Sequence, residues 1–304
     1  MAVVEDPAPA LRSGIRGVAM RHPLFSYFVV AFGFSWLIEV PVALAAQRAI
    51  APFPAPVVAI AIIAATFGPM LGAFVVTALI EGWTGVAGLL RRFVRWRVGV
   101  LWYAFVLVGI PLIVLLGAVL VPGALSWFDP SAVALAAYPM AFALTLLLGG
   151  PLGEEPGWRG FALPRLQQRH GPLWGSLILG AVWAAWHLPL FWSGVWTPPT
   201  GANIVMFGAM IIALTVIMTW VFNHVGGSLL IMILMHASFN TFANRVAAPL
   251  FPAPIFGEYG LLPVLIGFGL TAIVLVAVTR GRLGVGVGVG AGAGAAAGAR
   301  HSPT

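Results

Sequence analysis

The sequence contains no cysteine and no lysine, and charged residues of either sign are scarce. Without cysteine the protein has no disulfides, no thiolate metal ligands and no thiol nucleophile. Eight of the 304 residues are acidic, and charged residues make up 8% of the chain against 61% hydrophobic residues. Soluble domains contain roughly a quarter charged residues. The composition therefore excludes a soluble domain and indicates a multi-pass protein of the cell membrane.

Long apolar runs divide the chain into segments near the roughly 20 residues that a membrane-spanning helix needs. We therefore expect an all-α membrane protein, a polytopic bundle of about eight transmembrane helices in one membrane domain of residues 24–280. The predicted spans are Leu24–Ala46, Val57–Leu79, Val98–Val121, Val133–Gly150, Leu173–Phe191, Asn203–Phe222, Ser228–Val246 and Gly260–Val278.

The segments on either side of this domain differ from it in composition. Residues 1–23 form a polar N-terminal tail, and residues 281–304 form a low-complexity tail that is too rich in glycine to hold a helix and is predicted to be disordered. The first apolar run resembles a signal peptide. It is longer than the roughly 7–15 residues of a signal core, which favours a retained anchor.

All fifteen basic residues are arginine, and most lie beside the ends of apolar runs. With eight spans and a cytoplasmic N-terminus, thirteen arginines fall on the cytoplasmic side and only Arg48 and Arg245 fall outside. This positive-inside bias predicts that both termini are cytoplasmic. It also accounts for the net charge of +7 without nucleic-acid binding. Residues Val86–Val98 mix arginine with apolar residues, which predicts an amphipathic helix at the membrane interface.

Two adjacent acidic residues, Glu154 and Glu155, stand at the end of an apolar run and just before Arg159. A charge at membrane depth costs about 2.5–3.5 kcal/mol on insertion scales, so such residues usually lie inside a bundle or in a wet cavity. Pro156 directly follows the two glutamates, and proline is tolerated in the first turn of a helix. We therefore expect a helix to restart at Pro156.

Three further polar residues interrupt other apolar runs. His187 lies near the end of the fifth predicted span, and His236 and Asn240 lie within the seventh, four residues apart and so on one helix face. Together with the two glutamates and the arginine they provide a base to activate water, donors for an oxyanion and a group to orient them. A structural salt bridge at a helix end, a helix-packing hydrogen bond and an interfacial histidine are the alternative interpretations of these residues.

The three groups occur in an order that resembles the CPBP family of intramembrane proteases, also called Abi, whose eukaryotic members are the type II CAAX prenyl endopeptidases. The motifs stand here as Glu154-Glu155-Pro-Gly-Trp-Arg159, Trp183-Ala-Ala-Trp-His187 and His236-Ala-Ser-Phe-Asn240. The resemblance covers about residues 140–243, the predicted catalytic core. The family most often has phenylalanine where this chain has Trp183, so an aromatic wall is kept.

The resemblance implies an endopeptidase, a hydrolase that cleaves a membrane-associated protein or peptide near the cytoplasmic leaflet. In that scheme Glu154 and His187 activate water, and His236 and Asn240 bind the oxyanion. Glu155 and Arg159 hold the site, with Arg159 pairing with a carboxylate one helical turn away. The family has been described both as metalloproteases and as glutamate-dependent proteases. A divalent metal such as zinc is therefore left open, with Glu154, His187 and His236 as its ligands.

The substrate is not fixed by the sequence. A prenylated CaaX tail is the substrate of the eukaryotic branch, whereas prokaryotic relatives are linked to bacteriocin immunity and to protein maturation. The composition, rich in alanine, glycine and valine with arginine alone as the base, resembles that of bacterial proteins from high-GC genomes. A noncatalytic membrane scaffold or bacteriocin-immunity partner with the same fold is the alternative function.

Two other classes fit the sequence less well. A transporter would spread polar residues through both leaflets, but the outer half offers mainly Glu39, for which the sequence suggests no function. A serine protease would need a serine paired with a histidine. Ser228 lies two turns from His236 on the same predicted helix, without a glycine-flanked serine motif.

Overall fold

The computed structural model of the protein describes residues 14–130, 132–148, 150–251, 255 and 260–285. Regular structure in these residues is helical, and no strand occurs among them, which confirms the predicted all-α class. Most of the predicted N-terminal tail and of the predicted low-complexity C-terminal tail lies outside the described residues.

The helices of the described residues vary in length from three residues to twenty-six. In chain order they are α1 (Ile15–Arg21), α2 (Pro23–Ala46), α3 (Ala55–Ala65), α4 (Gly68–Phe93), α5 (Val100–Ala104), α6 (Ile110–Val119), α7 (Ala132–Leu148), α8 (Pro151–Gly157), α9 (Leu163–Trp186), α10 (Gly201–His224), α11 (Leu229–Phe242), α12 (Ala248–Leu250) and α13 (Leu262–Thr279). Short π-helical segments at Phe105–Gly109, Trp158–Ala162 and Ala243–Ala247 join neighbouring helices, and 3₁₀ turns lie at Ala124–Trp127 and Leu188–Trp192.

Six helical stretches of the described chain are long and apolar enough to cross a membrane, which makes this a multi-pass membrane protein. They are Pro23–Ala46, Ala55–Phe93, Val100–Val119, Pro151–Trp192, Gly201–His224 and Leu262–Thr279. Two predicted spans instead contain the shorter helices α7 and α11, of 17 and 14 residues. The predicted count of eight spans is therefore not confirmed, and the predicted orientation of the termini stays a prediction.

The predicted interfacial helix at Val86–Val98 is only partly formed. Helix α4 turns sharply at Gly82, whose φ of 65° and ψ of −158° lie in a region that glycine adopts without steric cost. The helix then continues to Phe93 and ends before the last five residues of the predicted segment. One glycine thus turns the chain where the sequence pattern predicted a break between two helices.

Helix α10 is the central helix of the bundle. In its most apolar stretch 61% of the residues are buried, against 28–39% in the other five candidate spans. Helices α9 and α13 pack against α10, while α8 packs against α4 and α11. This arrangement places α8, which carries the two adjacent glutamates, beside α11, which carries the histidine and asparagine of the third motif.

Candidate active site

The two glutamates are positioned by a break in the chain just before α8. Gly150 has a φ of 103°, which favours glycine, and Pro151 then occupies the first turn of α8. The helix therefore restarts at Pro151, five residues earlier than predicted, and Pro156 lies inside it. The prediction was wrong because Pro151 fits a first turn equally well and follows a glycine that can turn the chain.

Glu155 is the centre of a buried hydrogen-bonded cluster. Its Oε1 accepts from Nη1 of Arg159 at 2.9 Å and lies 2.8 Å from Nδ1 of His236. The side chains of Glu155 and Arg159 have no exposed surface, and that of His236 is 4% exposed. The predicted pairing of Arg159 with a carboxylate one turn away is confirmed for Glu155. A buried charge that loses its partner is strongly destabilising. The bond between Glu155 and His236 joins α8 to α11.

Trp183 connects the second motif to the other two. Its indole Nε1 donates to Oε2 of Glu154 at 2.7 Å. Its ring lies 4.2 Å from the Arg159 guanidinium, as in a cation–π contact, and meets the His236 ring edge to face at a centroid distance of 5.3 Å. Trp183 therefore contacts all three of these residues, whereas the sequence had indicated only an aromatic wall. The available signal was the buried indole N–H, which usually needs an acceptor.

His187 lies among aromatic rings at the end of α9. Its Nδ1 is 2.8 Å from the carbonyl oxygen of Trp183, one turn earlier. Because a carbonyl oxygen only accepts, Nδ1 carries the proton and Nε2 keeps its lone pair in the neutral ring. The ring stacks on Trp196 with an interplanar angle of 23° and contacts Trp186 and Phe207. These contacts fix the orientation of the imidazole.

Four of the six predicted residues line a cavity of about 750 Å³. Glu154, His187, His236 and Asn240 line it, whereas Glu155 and Arg159 are fully buried outside its lining. The rest of the lining is largely apolar and aromatic. Asn240 also accepts a hydrogen bond at its main-chain oxygen from Asn244 Nδ2, 2.8 Å away. The cavity thus presents a carboxylate, two imidazoles and an amide to one enclosed volume.

The predicted metal ligands are not arranged as a metal site. Among the described residues no group of three or more histidine, aspartate or glutamate side chains is placed to hold a metal ion. Glu154 is bonded to the Trp183 indole, and the Nδ1 atoms of His187 and His236 are bonded to other oxygen atoms. The geometry therefore gives no three-ligand metal site among the described residues, and the predicted divalent metal stays a prediction.

Two other residues considered from the sequence lie elsewhere. Ser228 caps the N-terminus of α11 by accepting from the Ile231 N–H, and its hydroxyl donates to the Arg95 carbonyl oxygen at 2.7 Å. This structural role argues against a serine nucleophile. Glu39 is 2% exposed on α2, and its Oε2 has no hydrogen-bond partner within the described part of the chain.

Comparison with known proteins agrees with the motifs. Residues 136–242 match the model of the family described as type II CAAX prenyl endopeptidase Rce1-like. CAAX prenyl protease 2 of Methanococcus maripaludis is 32% identical over 108 residues, a match that covers 32% of this chain and 38% of the relative. The chain thus spans less than half of the curated relative. The matched segment contains all six predicted site residues, and it confirms the resemblance predicted from the motifs: residues 136–242 are similar to the CPBP family, which includes the type II CAAX prenyl endopeptidases.

Proposed function

We propose that the protein is an intramembrane endopeptidase that hydrolyses a peptide bond of a membrane-associated protein or peptide. The observation that carries this proposal is the separation of the six polar residues into two groups. Glu154, His187, His236 and Asn240 line one cavity. Glu155 and Arg159 are fully buried outside its lining and hold these residues in place. Hydrolysis needs both a water-activating group and an oxyanion site within reach of one carbonyl.

Glu154 and His187 are the water-activating groups in this proposal. Oε2 of Glu154 is occupied by the Trp183 indole, so Oε1 is the oxygen that would accept a proton from water. The His187 ring is oriented by the bond from its Nδ1, which leaves the Nε2 lone pair to receive or relay that proton. Both side chains line the same cavity, which supports a water molecule shared between them as the nucleophile.

His236 and Asn240 provide the oxyanion site. The Nδ1–H of His236 donates to Glu155, so a donor to the oxyanion would come from Nε2 of the imidazolium form. The Glu155 carboxylate is the group that stabilises such a cation, because charge-assisted hydrogen bonds are stronger than neutral ones. Asn240 lies one helical turn further along α11 and lines the same cavity, where its amide would provide the second donor.

The substrate class and the side of the membrane on which the site lies are proposed from the cavity walls and the arginine positions. The largely apolar and aromatic cavity walls suit a hydrophobic peptide segment. We keep the cytoplasmic leaflet for the site because Arg165 and Arg169 follow the first motif closely, although Arg245, predicted to lie outside, also lines the cavity. The name of the archaeal relative refers to a CAAX prenyl substrate. For this protein we propose only the cleavage of a membrane-associated protein or peptide.

The test is cleavage of a membrane-embedded peptide library by the purified full-length protein in bilayers. Glu154→Gln and His236→Gln are compared with wild type, each with and without chelator, and Glu81→Gln is the matched control because that carboxylate is partly exposed and pairs with Arg165. Loss of a general base lowers the rate by about 10²–10⁴-fold. We expect this loss of cleavage rate in Glu154→Gln and not in Glu81→Gln. We also expect the wild-type protein to cleave in the presence of the chelator.

Two results would contradict the proposal. Equal cleavage by wild type and Glu154→Gln would show that this carboxylate does not activate water. Absence of any Glu154-dependent cleavage across the library would favour the noncatalytic scaffold or immunity partner with the same fold.

A further inference from the structure

Arg92, near the end of α4, donates hydrogen bonds to three main-chain carbonyl groups. Its Nε donates to Gly227 at 2.9 Å, its Nη1 to Gly160 at 2.8 Å and its Nη2 to Arg159 at 3.2 Å. The guanidinium also lies 5.3 Å from the centroid of the Phe222 ring. Among the described residues Arg92 forms no ion pair, so its charge is directed at carbonyl oxygens instead of a carboxylate.

These carbonyl groups belong to the two elements that carry the candidate site. Arg159 and Gly160 lie in the π-helical segment Trp158–Ala162, which continues α8. Gly227 immediately precedes Ser228, the N-cap of α11. One guanidinium therefore joins the helix with the two glutamates to the start of the helix with His236.

The contacts continue from Arg92 to the site without interruption. Arg92 binds the main-chain oxygen of Arg159, the Arg159 side chain binds Oε1 of Glu155, and the same oxygen binds His236. A displacement of the Arg159 backbone would thus move the carboxylate that orients His236. The guanidinium fork suits this position because it donates in several fixed directions, which a lysine ammonium does not.

The residues after Arg92 strengthen the same connection. Arg95 donates from Nη1 to the Gly226 carbonyl oxygen, and the Ser228 hydroxyl donates to the Arg95 carbonyl oxygen at 2.7 Å. Gly227 has a φ of 75°, and a Cβ there would lie 3.1 Å from Nη2 of Arg92, so the turn approaches the guanidinium closely. Arg92 and Arg95 therefore bind the α10–α11 turn from the side of α4.

We propose that Arg92 is a positioning residue of the active site. It fixes the π-helical segment that carries Arg159 against the start of α11, and so sets the position of Glu155 relative to His236. This inference rests on the proposed function, and it adds a residue outside the three motifs. Because Arg92 touches no cavity-lining side chain of the motifs, it acts on the rate through the orientation of His236 and not through substrate contact.

The kinetic test compares Arg92→Gln and Arg92→Lys with two controls. Arg91→Gln removes the neighbouring, exposed arginine. Arg165→Gln removes another arginine that joins two helices, through Glu81 at 2.7 Å. Arg165 also binds the π-helical segment, at the Phe161 carbonyl oxygen 3.1 Å away, but it binds neither α11 nor the Arg159 carbonyl. A misplacement near 1 Å can lower a rate about a hundredfold. We expect Arg92→Gln to lower kcat about a hundredfold with KM within about twofold of wild type. The kcat of Arg92→Lys should lie between those of Arg92→Gln and wild type, and both controls should have the wild-type kcat.

Thermal unfolding of each variant separates positioning from general destabilisation. If Arg92→Gln is unfolded at the assay temperature, the test uses Arg92→Lys instead. Its kcat is then measured below the midpoint temperature of its own thermal unfolding. Wild-type kcat in both Arg92 variants overturns the inference. A kcat loss in Arg92→Gln no greater than in Arg165→Gln, at an equal loss of thermal stability, overturns it as well.

A second readout does not depend on activity. The side-chain ¹⁵N resonances of His236, assigned by comparison with His236→Gln, report the hydrogen bond from Nδ1 to Glu155. We expect them to shift in Arg92→Gln and to stay unchanged in Arg165→Gln. Unchanged resonances in Arg92→Gln overturn the positioning role even if the protein proves to cleave no peptide. Absence of Glu154-dependent cleavage with shifted resonances contradicts the proposed function alone.

Discussion

The buried pair of Glu155 and Arg159 provides a quantitative test of whether these residues act in structure, in catalysis or in both. Glu155→Gln keeps an acceptor oxygen of similar shape but removes the negative charge, so the hydrogen bonds from Arg159 and His236 lose their ionised acceptor. Hydrogen bonds to charged groups contribute about 1.5–3 kcal/mol against about 0.5–1.5 kcal/mol for neutral bonds. The side chains of both residues have no exposed surface, so the buried Arg159 charge loses the carboxylate to which it is hydrogen-bonded. We expect a total loss of about 3–5 kcal/mol in the free energy of unfolding.

Arg159→Met and the double variant complete the cycle. Arg159→Met should cost less than Glu155→Gln, because Glu155 keeps its bond to His236, whereas Nε and Nη2 of Arg159 have no partner among the described residues even in the wild type. Combining the two changes removes both buried charges, and apolar replacements of buried ion pairs are often neutral. The double variant should therefore be more stable than Glu155→Gln by about 2 kcal/mol or more.

The assay is denaturant unfolding in bilayer-like micelles, followed by tryptophan fluorescence, with peptide cleavage measured on the same samples. The matched cycle uses Glu81→Gln and Arg165→Met, a pair at 2.7 Å whose side chains are 47% and 24% exposed. Exposed pairs contribute at most about 1 kcal/mol. An interaction energy at Glu155 and Arg159 no larger than in this control would refute the reasoning. Wild-type cleavage by the restabilised double variant would show that the pair is structural only.

Three further predictions concern a hydrogen bond, a close helix contact and the orientation in the membrane. Trp183→Phe keeps an aromatic ring but removes the bond to the glutamate carboxylate, so unfolding measurements should show a loss of about 1.5–3 kcal/mol with cleavage retained; unchanged stability would contradict this. Gly157→Ala places a Cβ 2.5 Å from two oxygen atoms of neighbouring helices and should lower the free energy of unfolding by about 1–3 kcal/mol or more. The control Gly88→Ala has open space around the new Cβ and should not lower it. Because the chain has no cysteine, Thr84→Cys should react with an impermeant thiol reagent only from the cytoplasmic side and Ser126→Cys only from outside; the reverse pattern would contradict the predicted orientation.

The motif residues were predictable because the sequence around them is so apolar. A carboxylate or imidazole inside a hydrophobic run needs a polar partner, and few partners exist in this chain. The spacing of Glu155 and Arg159 predicted their contact, since residues four apart share a helix face. The placement of His236 beside Glu155 needed the fold, because 81 residues separate the two along the chain.

Helix boundaries and main-chain contacts were less predictable. Apolar periodicity does not show whether one helix ends and another begins or whether a single helix turns at a glycine. The sharp turn of α4 at Gly82 and the start of α8 at Pro151 therefore differ from the prediction. Arg92 binds carbonyl groups that lie 67 to 135 residues away. Every residue has a carbonyl, so such partners have no sequence signature, and this arginine was counted only as part of an interfacial helix.

The scarcity of charge also constrains the protonation of the site. Among the buried residues of the three motifs, Glu154 and Glu155 with Arg159 leave one excess negative charge when ionised, and an uncompensated buried charge is costly. The imidazolium form of His236 would bring the total to zero, and it lies directly against Glu155. That form alone has an N–H at Nε2 while Nδ1 donates to the carboxylate. In the proposed mechanism Glu155, which does not line the cavity, would therefore allow the His236 imidazole to present a donor to the oxyanion.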